Sequence, residues 1–247
     1  MIERLAKSPI AVAILVLFAG LAGAGVTLLW QGQAPNLGER AKVERIVHDY
    51  VLAHPEILPE AMRALQDRQT GTDIAANRDA ILTPVGSAWA GNPAGDLTIV
   101  EYYDYNCGFC RASLPTIRQL IAGDPKLRVV FRELPILSEA SKLAARYSLV
   151  AARAGKFAVF HDAMYAGGPI SETSLADAVR KAGLDLKTVQ TAANDPAIDN
   201  EIETNFAVAK RLGMTGTPSW IIGDHVVSAA LPLEELQKEI ARARARG

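Results

Sequence analysis

The residues best equipped for chemistry are Cys107 and Cys110, the only two cysteines among 247 residues. They stand in Cys107-Gly108-Phe109-Cys110, after an apolar stretch from Leu97 to Tyr103 that reads as a strand and a tight loop. Two thiols three residues apart at a helix start share one face, one turn apart, and can close a disulfide. The outer one, Cys107, falls where unpaired backbone N–H groups and the positive end of the helix dipole favour an anion. Such a site lowers a thiol's pKa, and the thiolate is the species that attacks disulfides. Arg111 adds a positive charge beside the pair. Cys110, one turn further in, is expected to be better covered and suits a resolving thiol.

Other uses of two thiols at this spacing are weaker. A structural zinc site wants four ligands, and the chain offers no third cysteine and only four scattered histidines. A purely structural disulfide would close so short a loop that it constrains the unfolded chain little. Two soft sulfur ligands suffice for linear Cu(I), so a copper-binding protein using the two thiolates is the rival of another class. With only Met1, Met62, Met164 and Met214, no methionine-rich tract supports it. His48, His54, His161 and His225 show no partner pattern and read as structural or surface residues. Tyr102, Tyr103 and Tyr105 read as core and groove lining. No cofactor and no metal is expected.

The elements that must hold the pair follow from the chain in order. The second strand of a βαβ unit, Leu127 to Glu133 (LRVVFRE), is β-branched and apolar enough to lie parallel to the first. Pro115 falls inside the intervening helix and is expected to kink it. From about 138 to 213 the pattern is helical throughout, with a Ser138 cap, stops at Gly155, Gly167-Gly168 and Gly183, and an Asp195-Pro196 start. Trp220 to Ile222 and His225 to Val227 then form a hairpin about Gly223-Asp224, and a last helix carries Leu233, Leu236 and Ile240 on one face. A short edge strand is expected around Ala88-Trp89. Net charge is −1, and the Arg242-Ala-Arg244-Ala-Arg246 tail reads as a solvated helix end, so nucleic-acid binding has little support.

The N-terminal residues are different in kind. Arg4 and Lys7 precede an uncharged run from Ser8 to Trp30, of bilayer-spanning length at about 20 residues and ending on an aromatic. This favours an uncleaved membrane anchor over residues 1–30, with a signal peptide cleaved at Ala22-Gly23-Ala24 as the alternative. Either way the basic flank leaves the N-terminus inside and exports the rest, where a redox pair meets protein disulfides. Residues 31–80 read as a linker and a helical arm. Val43, Ile46, Val47, Tyr50 and Val51 share one helical face, Pro55 breaks the helix, and Ile57, Leu58, Met62 and Leu65 begin a second. The arm's stripe either folds back on its own domain or serves self-association.

Taken together, these residues resemble the exported DsbA-like thiol–disulfide oxidoreductases of the thioredoxin superfamily, over roughly Leu97 to Arg244. Cys107-Gly108-Phe109-Cys110 stands where that family has its redox motif, and Pro115 where it has its helix-kinking proline. Glu101, six residues before Cys107, resembles the buried acid beneath the disulfide. Thr217-Pro218 resembles the cis-proline loop, and Phe131-Arg132-Glu133-Leu134-Pro135 the strand exit. The resemblance implies an α/β thioredoxin fold over residues 81–247 with a helical insertion at about 138–213, preceded by the transmembrane helix and the amphipathic arm. It implies catalytic roles for Cys107, Cys110, Glu101, Thr217 and Pro218, with a proton relayed by Glu101 and client backbone held at Thr217. It also implies a periplasmic location, cysteine-bearing exported clients and a membrane redox partner that resets the dithiol. Phe109 replaces the histidine of the founding oxidases, Thr217 replaces their valine, and residues 39–80 resemble the arm of suppressor-of-copper-sensitivity proteins. These departures lean toward an isomerase or reductase working as a homo-oligomer, with a disulfide-donating oxidase as the alternative.

Overall fold

The computed structural model describes Ala13, residues 16–26 and residues 37–246. Ala13 and residues 16–26 are helical, and the remainder of the expected 1–30 anchor lies outside the described residues. Among the described residues, no helix is long and apolar enough to cross a membrane. The chain divides into two compact units, Met1–Met62 and Arg63–Gly247.

In the first unit, α1 (Leu37–Ala53) ends ahead of Pro55, and α2 (Ile57–Ala76) begins there and continues into the second unit. The stripe of α1 is exposed: Val43, Ile46, Val47 and Tyr50 each keep more than half their surface open. The second unit starts at Arg63, ahead of the residue-81 boundary expected from sequence, because the later part of α2 packs with it. Thr70 and Ile74 of α2 are buried, as is Ile81 of α3 (Arg78–Leu82).

The second unit is built on a five-stranded sheet of β1 (Trp89–Gly91), β2 (Leu97–Tyr103), β3 (Leu127–Glu133), β4 (Ser219–Ile222) and β5 (His225–Val227), in the order β1-β3-β2-β4-β5. Only β2 and β3 are parallel, and the helix between them is α4 (Gly108–Gly123), which runs unbroken through Pro115. A helical block separates β3 from β4: α5 (Glu139–Arg153), α6 (Phe157–Ala166), α7 (Glu172–Lys181), α8 (Leu186–Ala192) and α9 (Pro196–Arg211). Its ends are written in the sequence. Ser138 accepts from Ser141 N at 3.0 Å, Ser171 and Ser174 form a capping box, and Asp185 and Asp195 cap α8 and α9. The hairpin joining β4 to β5 requires Gly223, whose φ of +64° lies in the left-handed region.

Strand periodicity sorts the sheet into two faces. Ile99, Tyr103, Val129, Phe131, Trp220 and Ile222 belong to a core shared with α4 to α7 and with α10 (Leu233–Arg246). Val100, Tyr102, Val130 and Ile221 face the other way, against Ile74, Ile81, Val208 and Leu212. The C-terminal tail is an exposed helix end, as expected, and its arginines also find partners. Arg244 joins Asp96 at 2.7 Å and Asp124 at 2.6 Å, and Arg246 pairs with Asp224, tying α10 to the start of β2, the end of α4 and the β4–β5 turn.

Candidate active site

Because β2 is parallel to β3, the chain leaves the C-terminal end of β2 and must turn into α4, and Cys107 caps that helix. Its amide donates to Asp104 O at 3.0 Å, and its φ and ψ of −82° and 113° are extended. Cys110 N then donates to Cys107 Sγ at 3.3 Å, so the sulfur takes the acceptor role a serine or aspartate plays at other caps. Both cysteines are free thiols; Cys107 is 5 % exposed and Cys110 1 %. Phe109 between them is open to solvent.

From the other side comes the loop before β4. Thr217-Pro218 is a cis peptide, as the sequence resemblance implied, and the Cys107 thiol donates to Thr217 O at 3.1 Å. The Thr217 hydroxyl is buried and has no partner while Cys107 is protonated. Loss of that proton changes the arrangement: a thiolate receives the Cys110 thiol, the Thr217 hydroxyl and the amides of Cys110 and Phe109. These donors, the Cys110 thiol foremost, outweigh desolvation and pull the Cys107 pKa from 9.0 down to about 5. By sequence Arg111 is expected beside the thiolate. Its guanidinium is instead spent on Gly168 O at 2.9 Å, and it takes no part in holding the thiolate. Cys110 is shifted the opposite way, upward, chiefly by burial, then by its hydrogen bond to Cys107 and by the charge of Glu101.

Glu101 lies in the middle of β2, paired with Phe131 on β3 and Trp220 on β4. It is 1 % exposed and its Oε1 has no partner. Burial, aided by charge at Cys107, holds its carboxyl well above the usual range. Glu101, Cys107, Cys110 and Thr217 therefore share one locality, with one low and one high thiol and an acid able to take a proton at neutral pH.

Sequence reasoning missed a second group on the same face. Glu133, which pairs in register with Tyr103, is buried, as are Tyr105, Ser148 and His161. Strand alternation in LRVVFRE put Glu133 opposite Arg132, and Phe157, Phe160, His161 and Met164 follow one helical stripe; these were the available signals. His48 and His54 are exposed, whereas His225 is buried against Glu239, with Nε2 2.7 Å from Oε2.

A parallel–antiparallel sheet, a dithiol at the N-terminus of the first crossover helix and a cis-proline loop facing it define a thioredoxin-fold redox domain. Residues 98–241 match the family described as DSBA-like thioredoxin domain, and residues 39–70 match the copper resistance protein ScsC N-terminal domain. The chain belongs to the DSBA-like thioredoxin family, whose members are thiol–disulfide oxidoreductases. Among solved structures, a thioredoxin-like oxidoreductase from Silicibacter pomeroyi is 37 % identical, covering 68 % of this chain and 98 % of that one, with a TM-score of 0.64. A linker-deletion mutant of ScsC from Proteus mirabilis is 25 % identical over 87 % of this chain and 100 % of that one, with a TM-score of 0.65. A periplasmic thioredoxin-like protein from Salmonella enterica serovar Typhimurium is 29 % identical over 68 % of this chain and 95 % of that one, with a TM-score of 0.61. The curated relative Na(+)/H(+) antiporter NhaA 3 of Salinispora tropica is 29 % identical over 131 residues, 51 % of this chain; the match spans 20 % of that protein's length.

Proposed function

We propose that this chain is an exported thiol–disulfide oxidoreductase acting on protein disulfides, on the isomerase or reductase side of its family. The observation that carries the reading is the opposed pair: Cys107 ionised near pH 5 by neutral donors, Cys110 held protonated beside Glu101. In the reductive direction, Cys107 thiolate attacks one sulfur of a client disulfide, and the client's other sulfur leaves as a thiolate. Glu101 takes the proton of Cys110, whose sulfur then attacks Cys107 and releases the second client thiolate. Two electrons pass to the client, and the protein is left with a Cys107–Cys110 disulfide. Isomerisation is the same first step, followed by attack of a different client thiol on the mixed disulfide. Thr217, at the sulfur, is positioned to pair with an extended client backbone.

The direction is supported by the source of the thiolate's stabilisation. Thiolate pKa values run from about 7 in thioredoxin to about 3.5 in the strongly oxidising DsbA, and about 5 lies between them. Phe109 contributes a backbone amide and no charge. The exposed stripe of α1 and the ScsC-type match over residues 39–70 support self-association through residues 39–80. Family membership implies cysteine-bearing clients and a partner that resets the dithiol. The apolar run of residues 8–30 supports delivery to the periplasm and tethering at the inner membrane.

The deciding experiment is the equilibrium of the purified protein with glutathione, paired with refolding of a scrambled disulfide protein. An intermediate potential with efficient unscrambling is the expected result. A potential at the oxidant end, with disulfide donation and no unscrambling, replaces the isomerase reading by the oxidase one. Tight Cu(I) binding lost in Cys107→Ser, without turnover on any disulfide, overturns the enzyme reading.

A further inference from the structure

Five buried side chains on the dithiol's face of the sheet are left unused by that exchange: Tyr103, Tyr105, Glu133, Ser148 and His161. They form one hydrogen-bonded chain. Tyr103 donates to Glu133 Oε1, and Ser148 Oγ lies 3.3 Å from the Tyr103 hydroxyl. Tyr105 donates to Ser148 Oγ at 2.9 Å, and its oxygen lies 3.0 Å from His161 Nδ1. A hydroxyl has one proton to give. With Tyr103 giving its proton to Glu133 and Tyr105 giving its proton to Ser148, the Ser148 proton is left for Tyr103 or for Glu133 itself, and His161 Nδ1–H donates to Tyr105. Every donor then points toward Glu133, and the chain ends in an unpartnered atom at each extremity, Glu133 Oε2 and His161 Nε2.

The chain reaches the nucleophile through Tyr105, two residues before Cys107. Asp104, next to it, offers the carbonyl that accepts both the Cys107 amide and, at 3.1 Å, the hydroxyl of Tyr165. Tyr165 in turn packs against Tyr105 and His161, with ring centroids 5.1 and 4.9 Å apart. No cation pairs with Glu133 among the described residues. The groups facing it are Tyr103 on β2, Tyr105 in the loop after it, Ser148 on α5, Tyr165 on α6, and Asp104, whose carboxylate accepts the amides of Asn106 and Leu137. A carboxylate sealed from water without a counter-charge is costly, whereas a carboxylic acid fits: Oε1 accepts from Tyr103 and Oε2 holds the proton.

We propose that Glu133, as a neutral carboxylic acid at the end of the Tyr103–Ser148–Tyr105–His161 chain, is a positioning residue that fixes the Asp104–Cys107 turn and so sets the acidity of Cys107. Burial, the leading influence on its carboxyl, and the charge of Asp104 hold it well above the ordinary range, against the hydrogen bonds from Ser148 and Tyr103. Glutamine reproduces the neutral acid, with its oxygen on Tyr103 and its amide nitrogen in the place of Oε2. Leucine removes the terminal acceptor and frees Tyr103 and Tyr105 to rotate.

The test compares wild type, Glu133→Gln and Glu133→Leu by thiolate absorbance against pH, by the glutathione equilibrium, and by reduced-minus-oxidised infrared spectra. Glu133→Gln is expected within about twofold of wild type in the glutathione equilibrium, and Glu133→Leu about tenfold more reducing with a raised Cys107 midpoint. A carboxylic-acid carbonyl band that moves on reduction is expected to survive Glu101→Gln and vanish in Glu133→Gln. Folded Glu133→Leu with an unchanged Cys107 midpoint overturns the proposal, because a merely structural residue lowers stability and leaves acidity alone. Glu133→Gln shifted as far as Glu133→Leu also overturns it, as does a difference spectrum with no band assignable to Glu133. The infrared result stands even where Glu133→Leu fails to fold. The proposal rests on Cys107–Cys110 being the redox centre; a wild type without any redox difference spectrum defeats that reading, whereas the outcomes above defeat only the role of Glu133.

Discussion

The two faces of the sheet bury charge in opposite ways. On the face turned from the dithiol, Arg132 is 3 % exposed, yet each nitrogen of its guanidinium has a partner. It donates to Ile81 O and Thr83 O and pairs with Glu201 Oε1 at 2.5 Å. Tyr102 on that face has an unpartnered hydroxyl, but a neutral one. On the dithiol's face, Glu101 and Glu133 are both buried, each with an unpartnered oxygen and, among the described residues, neither with a cation. A satisfied buried charge holds structure, here the end of α3 against the sheet. A buried acid without a counter-charge has a raised affinity for a proton, so its carboxylate can accept one, and Glu101 lies where the fold has a thiol to deprotonate.

That contrast is open to test from the largest effect downward. Cys107→Ser is expected to abolish disulfide exchange and, above about pH 5, to cost the reduced protein the stability its thiolate supplies; residual turnover above background would remove the dithiol from its central place. Arg132→Leu strands Glu201 and two carbonyls, and a loss of about 3 kcal/mol is expected in denaturant unfolding, with the Cys107 midpoint unchanged. Glu101→Gln should do the reverse. Stability holds or rises, and the mixed disulfide accumulates because resolution by Cys110 slows by about 100-fold, read by quenched-flow alkylation. An effect confined to acid pH belongs to His161, whose pKa burial lowers from 6.5 to about 3. A folded-state pKa below the unfolded one means stability that is present above about pH 6.5 and lost as pH falls toward 3, at up to about 1.4 kcal/mol per pH unit. Unfolding followed across that window should show the slope, and His161→Gln should flatten it.

The fold was legible wherever local chemistry is strong. The strands Leu97–Tyr103 and Leu127–Glu133, the Ser138 and Asp195 caps and the Gly223 turn each follow from a few adjacent residues. The dithiol and Thr217-Pro218 were legible as motifs. What the sequence hid depends on register across the sheet. Glu133 reads as one more charge at a strand end until the parallel pairing sets it opposite Tyr103, and His161 reads as an isolated histidine until α6 lays it beside Tyr105. The same holds for Arg111, which sequence places next to Cys107 and the fold turns toward Gly168. Residues 63–76 continue the arm's pattern, and only the far face of the sheet makes Ile74 a core residue.

The most direct measurement is the absorbance titration of the Cys107 thiolate in the reduced protein, with Cys107→Ser as the blank. The account predicts half-ionisation near pH 5, so that the reduced protein draws stability from the thiolate above about pH 9 and loses it as pH falls through 5. A midpoint near the ordinary thiol value of 9.0 would contradict it, leaving Cys107 an unactivated thiol and the buried acids without a reaction to serve.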